Sequence, residues 1–570
     1  MRFIRFITAL LLTICFTLTV NAAKKKQTFD EFSLKILESV QSFYPVKATE
    51  MGIHAYDHRF TDYSSKSVKN RIKDLKNFEK KLHNFKKTNL SPHQQINVKL
   101  LKSNLDIELL NLKNIAWHKK SPQLYSQEII DGLYFLLIST HAPMKEKIFS
   151  IMERMKAVPA YLKKAQKNIK NPPPVYIETA QKQIESAIYF YKTAAGKLMN
   201  QFPEKADKIL KISTKAQEAL NDFSIFLSEI SPGKETSFAI GKKNFDYMLA
   251  NQNLLPYDSD SLLKIGEQLL SEAQGKYKDY KKYVENNHQN GLDSVYIPNV
   301  FTKDDILNYY NWETKQVAIF IEQNNIVTIP DEIGDVEVIE TPAFLRTMVT
   351  GIAYQPAGPF NEVQKAYFYV RPIPDDLDRR QLEARYRYVH RRGFKGSVVH
   401  EAYPGHHLMF QIASLNEDPV RKWQMDMQMA EGWALYSEEM MYKLGLYGKE
   451  DPAHWLRVLG GIRFRAARII ADVKLHTGQF TIEQCYDWMV EQLDIDTESG
   501  KNYIKGEVRR YSFQPTYQMS YLIGKQEIIK LREVMKKKLG DQFSLQKFHD
   551  DLLSEGAIPP SLIYEIWGLN

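Results

Sequence analysis

Residues 400–407 read His-Glu-Ala-Tyr-Pro-Gly-His-His and place three of the chain's 14 histidines beside a carboxylate. The flanking runs at 397–399 and 408–413 are mostly apolar, so we expect these histidines on a buried helix. A buried imidazole needs a polar partner. Histidine and glutamate together are typical metal ligands. The stretch therefore predicts a metal site, because ordinary core or surface histidines seldom cluster with a glutamate in an apolar context.

The spacing differs from the common zinc-hydrolase pattern H-E-x-x-H, in which two histidines share one helical face and the glutamate is the general base. Here Pro404 disrupts a helix interior, and Gly405 has wide backbone freedom. Six residues of regular helix rise about 9 Å, which is too far for two ligands of one ion. We therefore expect a bulge that returns His406 to the ion bound by His400, with Glu401 facing the bound water.

The third ligand is predicted on a second helix, within the apolar-flanked acidic stretch at 429–439. Glu431 is the candidate, because the chain after His406 is long enough to finish one helix, turn and return antiparallel. Gly405 is expected to permit close approach of this second helix. Three protein ligands leave a fourth position for water, as in catalytic zinc sites. Glu438 or Glu439 is predicted to hold a ligand histidine in place instead of binding the ion.

These motifs resemble the bacterial family called "domain of unknown function 885", placed among zincin-like, gluzincin-type metallopeptidases. The pattern H-E-x-x-P-G-H-H and the Glu-Gly-Trp-Ala at 431–434 carry the resemblance, which covers nearly the whole chain after its first residues. Further matches are Pro515, Gln518, Ser520-Tyr521, Gly524, Leu531-Arg532, Leu539-Gly540, Phe543, Phe548-His549 and Gly556-Ala557-Ile558-Pro559. Related gluzincins carry Gly-His at the second ligand, which favours His406 over His407. His407, directed away, is then predicted to contact substrate or an acid such as Glu438.

The resemblance implies a mainly α, large multi-helix zincin-like fold that encloses a deep cleft and holds one Zn²⁺ per chain. It also implies a hydrolase that cleaves short peptides or small amides, in which Glu401 accepts the water's proton and then protonates the departing amine. Tyr521 and Tyr511 are candidates to stabilise the oxyanion. Arg510 is a candidate to bind a substrate carboxylate. The alternatives are a metal-dependent lyase or non-peptide amidase on the same fold, and a catalytically silent binding protein; endo- and exopeptidase activity both stay open.

The first residues predict a secretory signal peptide at 1–22, with a basic opening, an apolar core and small residues at the end. The apolar core is short for a membrane span, so we expect no stable membrane insertion after its removal and a periplasmic or extracellular protein. Ile14 is too bulky for a typical lipoprotein cleavage box before Cys15. Cys485 is then the remaining cysteine, which excludes an intramolecular disulfide.

The chain of 570 residues is 44% hydrophobic and carries a net charge of +9, enough apolar content for one very large core or two fused subdomains. We expect an N-terminal helical region at 23–231 and a zincin-like catalytic region at 232–570, which can form one continuous domain. The basic residues show no binding motif, so a nucleic-acid partner is not expected. The oligomeric state stays open.

A small sheet is predicted just before the metal helix. Short β-branched or aromatic runs at 326–329, 336–339 and 366–370 are bounded by Pro, Gly or Asp, which is typical of strands. An edge strand of a zincin commonly binds extended peptide, and Tyr367–Val370 is predicted either as such an edge or as a plain strand.

Overall fold

Helices form most of the part of the chain that the computed structural model describes, which is residues 27–85, 89–287, 302–342, 345–346, 351–391, 394–448 and 452–569. One three-stranded sheet accompanies them. The predicted mainly α fold with a small sheet is therefore confirmed. The signal peptide predicted at 1–22 lies outside the described residues. Among the described helices, none is both long and apolar enough to cross a membrane.

The helices of the first half begin where the sequence places capping residues and prolines. The helix Pro92–Leu109, for example, starts with a capping box in which Ser91 and Gln94 bond to each other's backbone N–H groups, with Pro92 in its first turn. The helices are α1 (Phe29–Phe43), α2 (Pro45–Glu50), α3 (Ser65–Phe85), α4 (Pro92–Leu109), α5 (Trp117–Lys120), α6 (Pro122–Ile138), α7 (Met144–Asn168), α8 (Pro174–Gln201), α9 (Ala206–Glu229), α10 (Lys242–Asn251) and α11 (Ser259–Asn287), with a π-helical turn at Leu110–Ile115 and short 3₁₀ turns at Pro203–Lys205 and Glu235–Phe238.

The second half contains the sheet and the helices that carry the motif residues. Its elements are α12 (Lys303–Gln323), β1 (Val336–Glu340), β2 (Ala353–Gln355), β3 (Ala366–Val370), α13 (Arg379–Arg391), α14 (Phe394–Glu401), α15 (His406–Ser414), α16 (Pro419–Lys422), α17 (Met427–Lys443), α18 (Pro452–His476), α19 (Ile482–Gln492), α20 (Glu498–Tyr511), α21 (Ser520–Leu539), α22 (Leu545–Ser554) and α23 (Pro560–Ile566), with a 3₁₀ turn at Gly540–Gln542.

Two hydrophobic clusters form the core, and each combines residues from both sides of residue 231. The first cluster includes both Phe32 and Ile563, and the second includes both Tyr176 and Tyr511. The Tyr176 hydroxyl also donates a hydrogen bond of 2.7 Å to the carbonyl of Ser512. The helices of the first half therefore pack directly against those of the second, while the boundary near residue 231 stays a prediction.

The sheet has the strand order β1-β3-β2, with β1 parallel and β2 antiparallel to β3. The strands predicted at 336–339 and 366–370 are confirmed. The strand predicted at 326–329 is wrong, because its buried residues lie in the loop after α12. The prediction of Tyr367–Val370 as an edge is also wrong, since β3 pairs on both sides. The edges are β1 and β2, and the three residues of β2 are too few to show an alternating pattern.

Two glycines allow helices α17 and α21 to cross with their backbones in contact. A Cβ atom on Gly524 would lie 2.0 Å from the carbonyl oxygen of Gln428, and one on Gly432 would lie 2.5 Å from the carbonyl carbon of Gly524. The atoms that an added Cβ would meet belong to the backbone, so no flexible side chain can move aside. This crossing places Glu431, one residue before Gly432, beside the segment that precedes α21.

Gly524→Ala is expected to lower the free energy of unfolding by about 1–3 kcal/mol, because the added methyl overpacks a backbone contact. The matched control is Gly506→Ala in α20, where an added Cβ meets nothing within 4 Å. That change is expected to stabilise by about 0.5–1 kcal/mol, since alanine favours a helix over glycine. Thermal unfolding of both variants tests this, and a Gly524→Ala protein that melts like the parent would disprove the contact.

Candidate metal centre

The motif at 400–407 forms two short helices joined by a break. Helix α14 ends at Glu401, the Tyr403–Pro404 peptide bond is cis, and α15 begins at His406. A Cβ on Gly405 would lie 1.9 Å from the carbonyl oxygen of His400, so this position accepts only glycine. The predicted bulge within one helix is thus a complete interruption of it.

The expectation that Gly405 permits close approach of the helix carrying Glu431 is wrong. Gly405 is crowded by the carbonyls of Val399 and His400 at the end of its own preceding helix. The contact with α17 comes instead from Trp433, whose indole N–H donates to the carbonyl of Pro404 at 2.7 Å. A fully buried tryptophan thereby anchors the interruption to α17.

The break brings together the three predicted ligands. The Nε2 atoms of His400 and His406 lie 3.6 Å and 3.4 Å from Glu431 Oε2. One donor atom from each residue lies within 4.8 Å of the other two, a spacing that can hold a metal ion. His406, rather than His407, contributes to this triad.

Glu438 forms a hydrogen bond with the ligand candidate His400. Its Oε1 lies 2.8 Å from His400 Nδ1, so the imidazole can donate there and keep a lone pair on Nε2. Burial alone would raise the pKa of Glu438, but Arg465 and His400 hold that pKa at about 2. Glu439, the other candidate for this role, instead pairs with Lys525 and Lys443.

The triad suits a divalent cation. Glu431 Oε2 is buried and has no hydrogen-bond partner among the described residues, although it faces two ring nitrogens. Burial would lower the pKa of His400, yet the neighbouring carboxylates of Glu431 and Glu438 outweigh it and raise that pKa to about 10. The site therefore favours positive charge. Two imidazole nitrogens and one carboxylate oxygen are a donor set that fits zinc.

Glu401 lies beside the triad without belonging to it. Burial raises its pKa, and the neighbouring His400 and His406 oppose that effect. The backbone of Tyr354, in the edge strand β2, also acts to lower that pKa. Glu401 thus lies between the two histidines and the sheet, where a general base would face both a bound water and a substrate.

His407 points elsewhere. It is fully buried, its Nδ1 lies 3.2 Å from the Tyr354 hydroxyl, and Tyr403 packs edge-to-face against its ring. Burial lowers the pKa of His407 to about 4, so the ring is neutral near pH 7. The expected contact with Glu438 is wrong, because that carboxylate is bound to His400. Its role in substrate binding stays a prediction.

Tyr517, a residue absent from the sequence predictions, contacts the triad most directly. Its hydroxyl donates to Glu431 Oε1. The predicted Tyr521 lies one step behind, with its hydroxyl 3.5 Å from that of Tyr517 and the Arg468 guanidinium 4.1 Å from its ring centre. Tyr517 lies in the loop before α21, where no periodicity distinguishes it from the other tyrosines of the segment.

Tyr511 and Arg510, the other two residues predicted for the site in this part of the chain, both bond to Glu507. The Tyr511 hydroxyl donates to Glu507 at 3.0 Å, and the side chain is fully buried. The Arg510 guanidinium donates to Glu507 at 2.8 Å and to Gln514 at 2.9 Å. Neither side chain contacts the triad, and their predicted roles in oxyanion and carboxylate binding stay predictions.

A second group of possible ligands comprises His54, Asp57 and His141. His54 Nδ1 lies 2.9 Å from Asp57 Oδ2, but the two imidazole rings stack in parallel, with centres 3.4 Å apart and planes 13° apart. Stacked rings cannot both direct an in-plane lone pair at one ion. The Asp57 carboxylate also interacts with the positive charges of Lys147 and Arg154. The triad at His400 is therefore the better metal site.

Glu438→Gln is expected to weaken metal binding about 10–100-fold, because it removes the charged partner that orients His400. The matched control is Glu439→Gln, one residue further along α17, which breaks a lysine pair without touching a histidine. Competition between the protein and a metal-indicator dye measures both affinities. Equal affinity in Glu438→Gln and the parent would refute the orienting role.

The sequence matches a bacterial family of unknown function, and the fold matches solved structures. The family described as "Bacterial protein of unknown function (DUF885)" matches residues 45–566. A candidate lipoprotein of unknown function from Shewanella oneidensis is 21% identical with a TM-score of 0.75, over 95% of this chain and 100% of that one. A candidate lipoprotein from Colwellia psychrerythraea is 19% identical with a TM-score of 0.75, over 94% and 97% of the two chains. Curated proteins give no match. The chain belongs to the bacterial DUF885 family.

Proposed function

We propose that this protein is a zinc-dependent hydrolase of the zincin type that cleaves short peptides. The observation that carries the proposal is the convergence of His400, His406 and Glu431 on one point, with Glu401 directly after the first ligand. Two histidines and one glutamate leave a position open for water, which distinguishes catalytic from structural zinc sites.

A zinc ion held by these three residues would polarise a substrate carbonyl and lower the pKa of a bound water toward neutrality. Glu401 accepts the proton of the attacking water and delivers it to the departing amine. Glu438 keeps His400 in the tautomer that a ligand needs. Tyr517, bound to the carboxylate of Glu431, orients that ligand, and Tyr521 behind it can move toward an oxyanion.

The sheet supplies a place for an extended substrate. Strand β2 is an edge, and its central residue Tyr354 contacts His407 through its hydroxyl and lowers the pKa of Glu401 through its backbone. A peptide that adds to such an edge through backbone hydrogen bonds would lie beside Glu401. This arrangement favours peptide hydrolysis over a lyase reaction, since a lyase has no need of a strand-like substrate.

We also propose that the protein is exported through the signal peptide at 1–22. Two similar solved structures are described as candidate lipoproteins, which agrees with an exported protein. Ile14 before Cys15 argues against the same lipid anchor in this chain.

The test is digestion of a defined peptide mixture by the purified protein, before and after removal of metal with a chelator. Cleavage is expected to stop on chelation and to return with added Zn²⁺. If the zinc-loaded protein cleaves no peptide, or if cleavage persists without metal, the proposal fails. Products that carry a new double bond in place of new termini would support the lyase instead.

A further inference from the structure

We infer that a cavity between helices α2 and α6 binds the ammonium group at the amino terminus of a peptide substrate, so that the enzyme prefers peptides with a free amino end. The inference rests on the proposed peptidase function. It concerns residues of the N-terminal half, away from the metal ligands.

The cavity has a volume of about 400 Å³, within the usual range for small-ligand sites. Its charged lining comes from Lys47 and Glu50 of α2 and from Glu128 and Asp131 of α6, and most of the remaining wall is aromatic or aliphatic. Such a pocket, apolar with a few convergent charges, suits one ligand group of opposite charge.

The cavity adjoins a second cavity that extends toward the metal centre. Six of its lining residues also line a larger cavity of about 680 Å³: Tyr44, Lys47, Tyr63, Trp117, Leu124 and Phe513. The larger cavity reaches Tyr517, whose hydroxyl donates to Glu431. The acidic cavity therefore neighbours a cavity that is lined by a residue in contact with a metal ligand.

A second connection runs along α6. One turn beyond Asp131, the Tyr134 hydroxyl lies 3.5 Å from Gln355 Oε1 in the edge strand β2. The preceding residue of β2 is Tyr354, whose backbone lowers the pKa of Glu401 and so lies close to that carboxyl group. A peptide that lies beside β2 with its scissile bond at Glu401 would thus have one end near α6.

The charges of the cavity do not cancel. The lining carries three carboxylates, those of Glu50, Glu128 and Asp131, and one lysine, Lys47, whose Nζ pairs with Glu50 Oε2 at 3.0 Å. Glu128 is already bound, by the backbone N–H of Thr61 at 2.8 Å and by the Tyr161 hydroxyl.

Asp131 is the carboxylate of the cavity that is most available to bind a ligand, because Glu50 and Glu128 are already paired. Among the described residues its carboxylate accepts from Gln127, at 2.8 Å. Desolvation within the cavity, and then the charge of Glu50, raise its pKa to about 7; the positive charge of Lys47 opposes this, so the carboxylate lacks a full counter-charge. An ammonium group from a substrate would supply that charge, and its three N–H donors can reach more than one acceptor.

An independent observation points to a ligand in the same cavity. The side chain of Gln123 is 5% exposed, and both its amide nitrogen and its amide oxygen lack partners among the described residues. A buried amide without hydrogen bonds is costly, so this side chain is suited to a polar group that enters the cavity. Its carbonyl can accept from an ammonium and its amide can donate to the first peptide carbonyl.

The test uses pairs of peptides that are identical except for a free or an acetylated amino terminus. For the zinc-loaded parent, kcat/KM is expected to be about tenfold or more higher for the free peptide than for the acetylated one. This is the effect expected when a hydrogen bond to a charged group is lost. Asp131→Asn is expected to remove most of this preference by raising KM for the free peptide, with the acetylated peptide unaffected. Glu50→Gln serves as a second variant if Asp131→Asn does not fold, and Glu153→Gln in α7, which pairs on the surface with Lys156, is the control.

Two further arms separate the possible failures. The first arm is an acetylated peptide that carries a lysine side chain. If it is cleaved as efficiently as the free peptide, the cavity accepts any ammonium group and the assignment to the amino terminus is wrong. Calorimetric binding to Glu401→Gln protein provides a readout without turnover, in which the free peptide is expected to bind at least about tenfold more tightly than the acetylated one. Equal cleavage of both peptides by the parent contradicts this inference alone, whereas no cleavage of either contradicts the proposed function.

Discussion

Replacement of Glu401 by glutamine is expected to leave the bound zinc in place and to lower kcat by about 10²–10⁴-fold. Glutamine has nearly the same shape but cannot accept a proton from water. Glu401 is not one of the three converging ligands, so the metal site should be unaffected. Zinc content and peptide turnover, measured on the same preparation, test both halves of this expectation.

Two outcomes would show that the role of Glu401 is wrongly assigned. Loss of zinc in Glu401→Gln would make it a ligand, and near-normal turnover with zinc present would make it dispensable. Glu417→Gln is a suitable control, because it removes a carboxylate from the surface loop after α15 and is expected to change neither quantity.

The second large effect concerns the adjacent histidines. His406→Ala is expected to abolish stoichiometric zinc binding, because Nε2 of His406 faces Glu431 Oε2 at 3.4 Å. His407→Ala is expected to keep the zinc, since His407 contacts Tyr354 and Tyr403 instead. Zinc per folded chain, from elemental analysis with circular dichroism on the same samples, separates metal loss from unfolding. The reverse pattern would move the second ligand to His407.

The ligands themselves could be predicted from the sequence because their signal is chemical and local. Histidines beside a glutamate in an apolar stretch are seldom ordinary core residues, and an acid on the next apolar helix completes the set. The conformation of the linker could not be predicted in detail. Pro404 and Gly405 indicate a disruption, but the spacing does not show the crowding of Gly405 against the His400 carbonyl or the hydrogen bond from Trp433 to the Pro404 carbonyl.

The remaining parts of the site depend on tertiary contacts between distant segments. Strand β2 is too short to show a period of two, and it is an edge because β1 pairs with the far side of β3. Tyr517 resembles the other tyrosines near it until the crossing at Gly524 and Gly432 places it beside Glu431. The cavity at Asp131 joins α2 and α6, and neither helix carries a motif that predicts a ligand.

Metal analysis of the unmodified protein decides whether the triad holds zinc. Protein purified without chelator or added metal is expected to contain about one zinc per chain, which is the stoichiometry of a single three-ligand site. That zinc should be lost on dialysis against a chelator and return with added Zn²⁺. A protein that purifies without metal and takes up no added Zn²⁺ would contradict the assignment of His400, His406 and Glu431 as a zinc site.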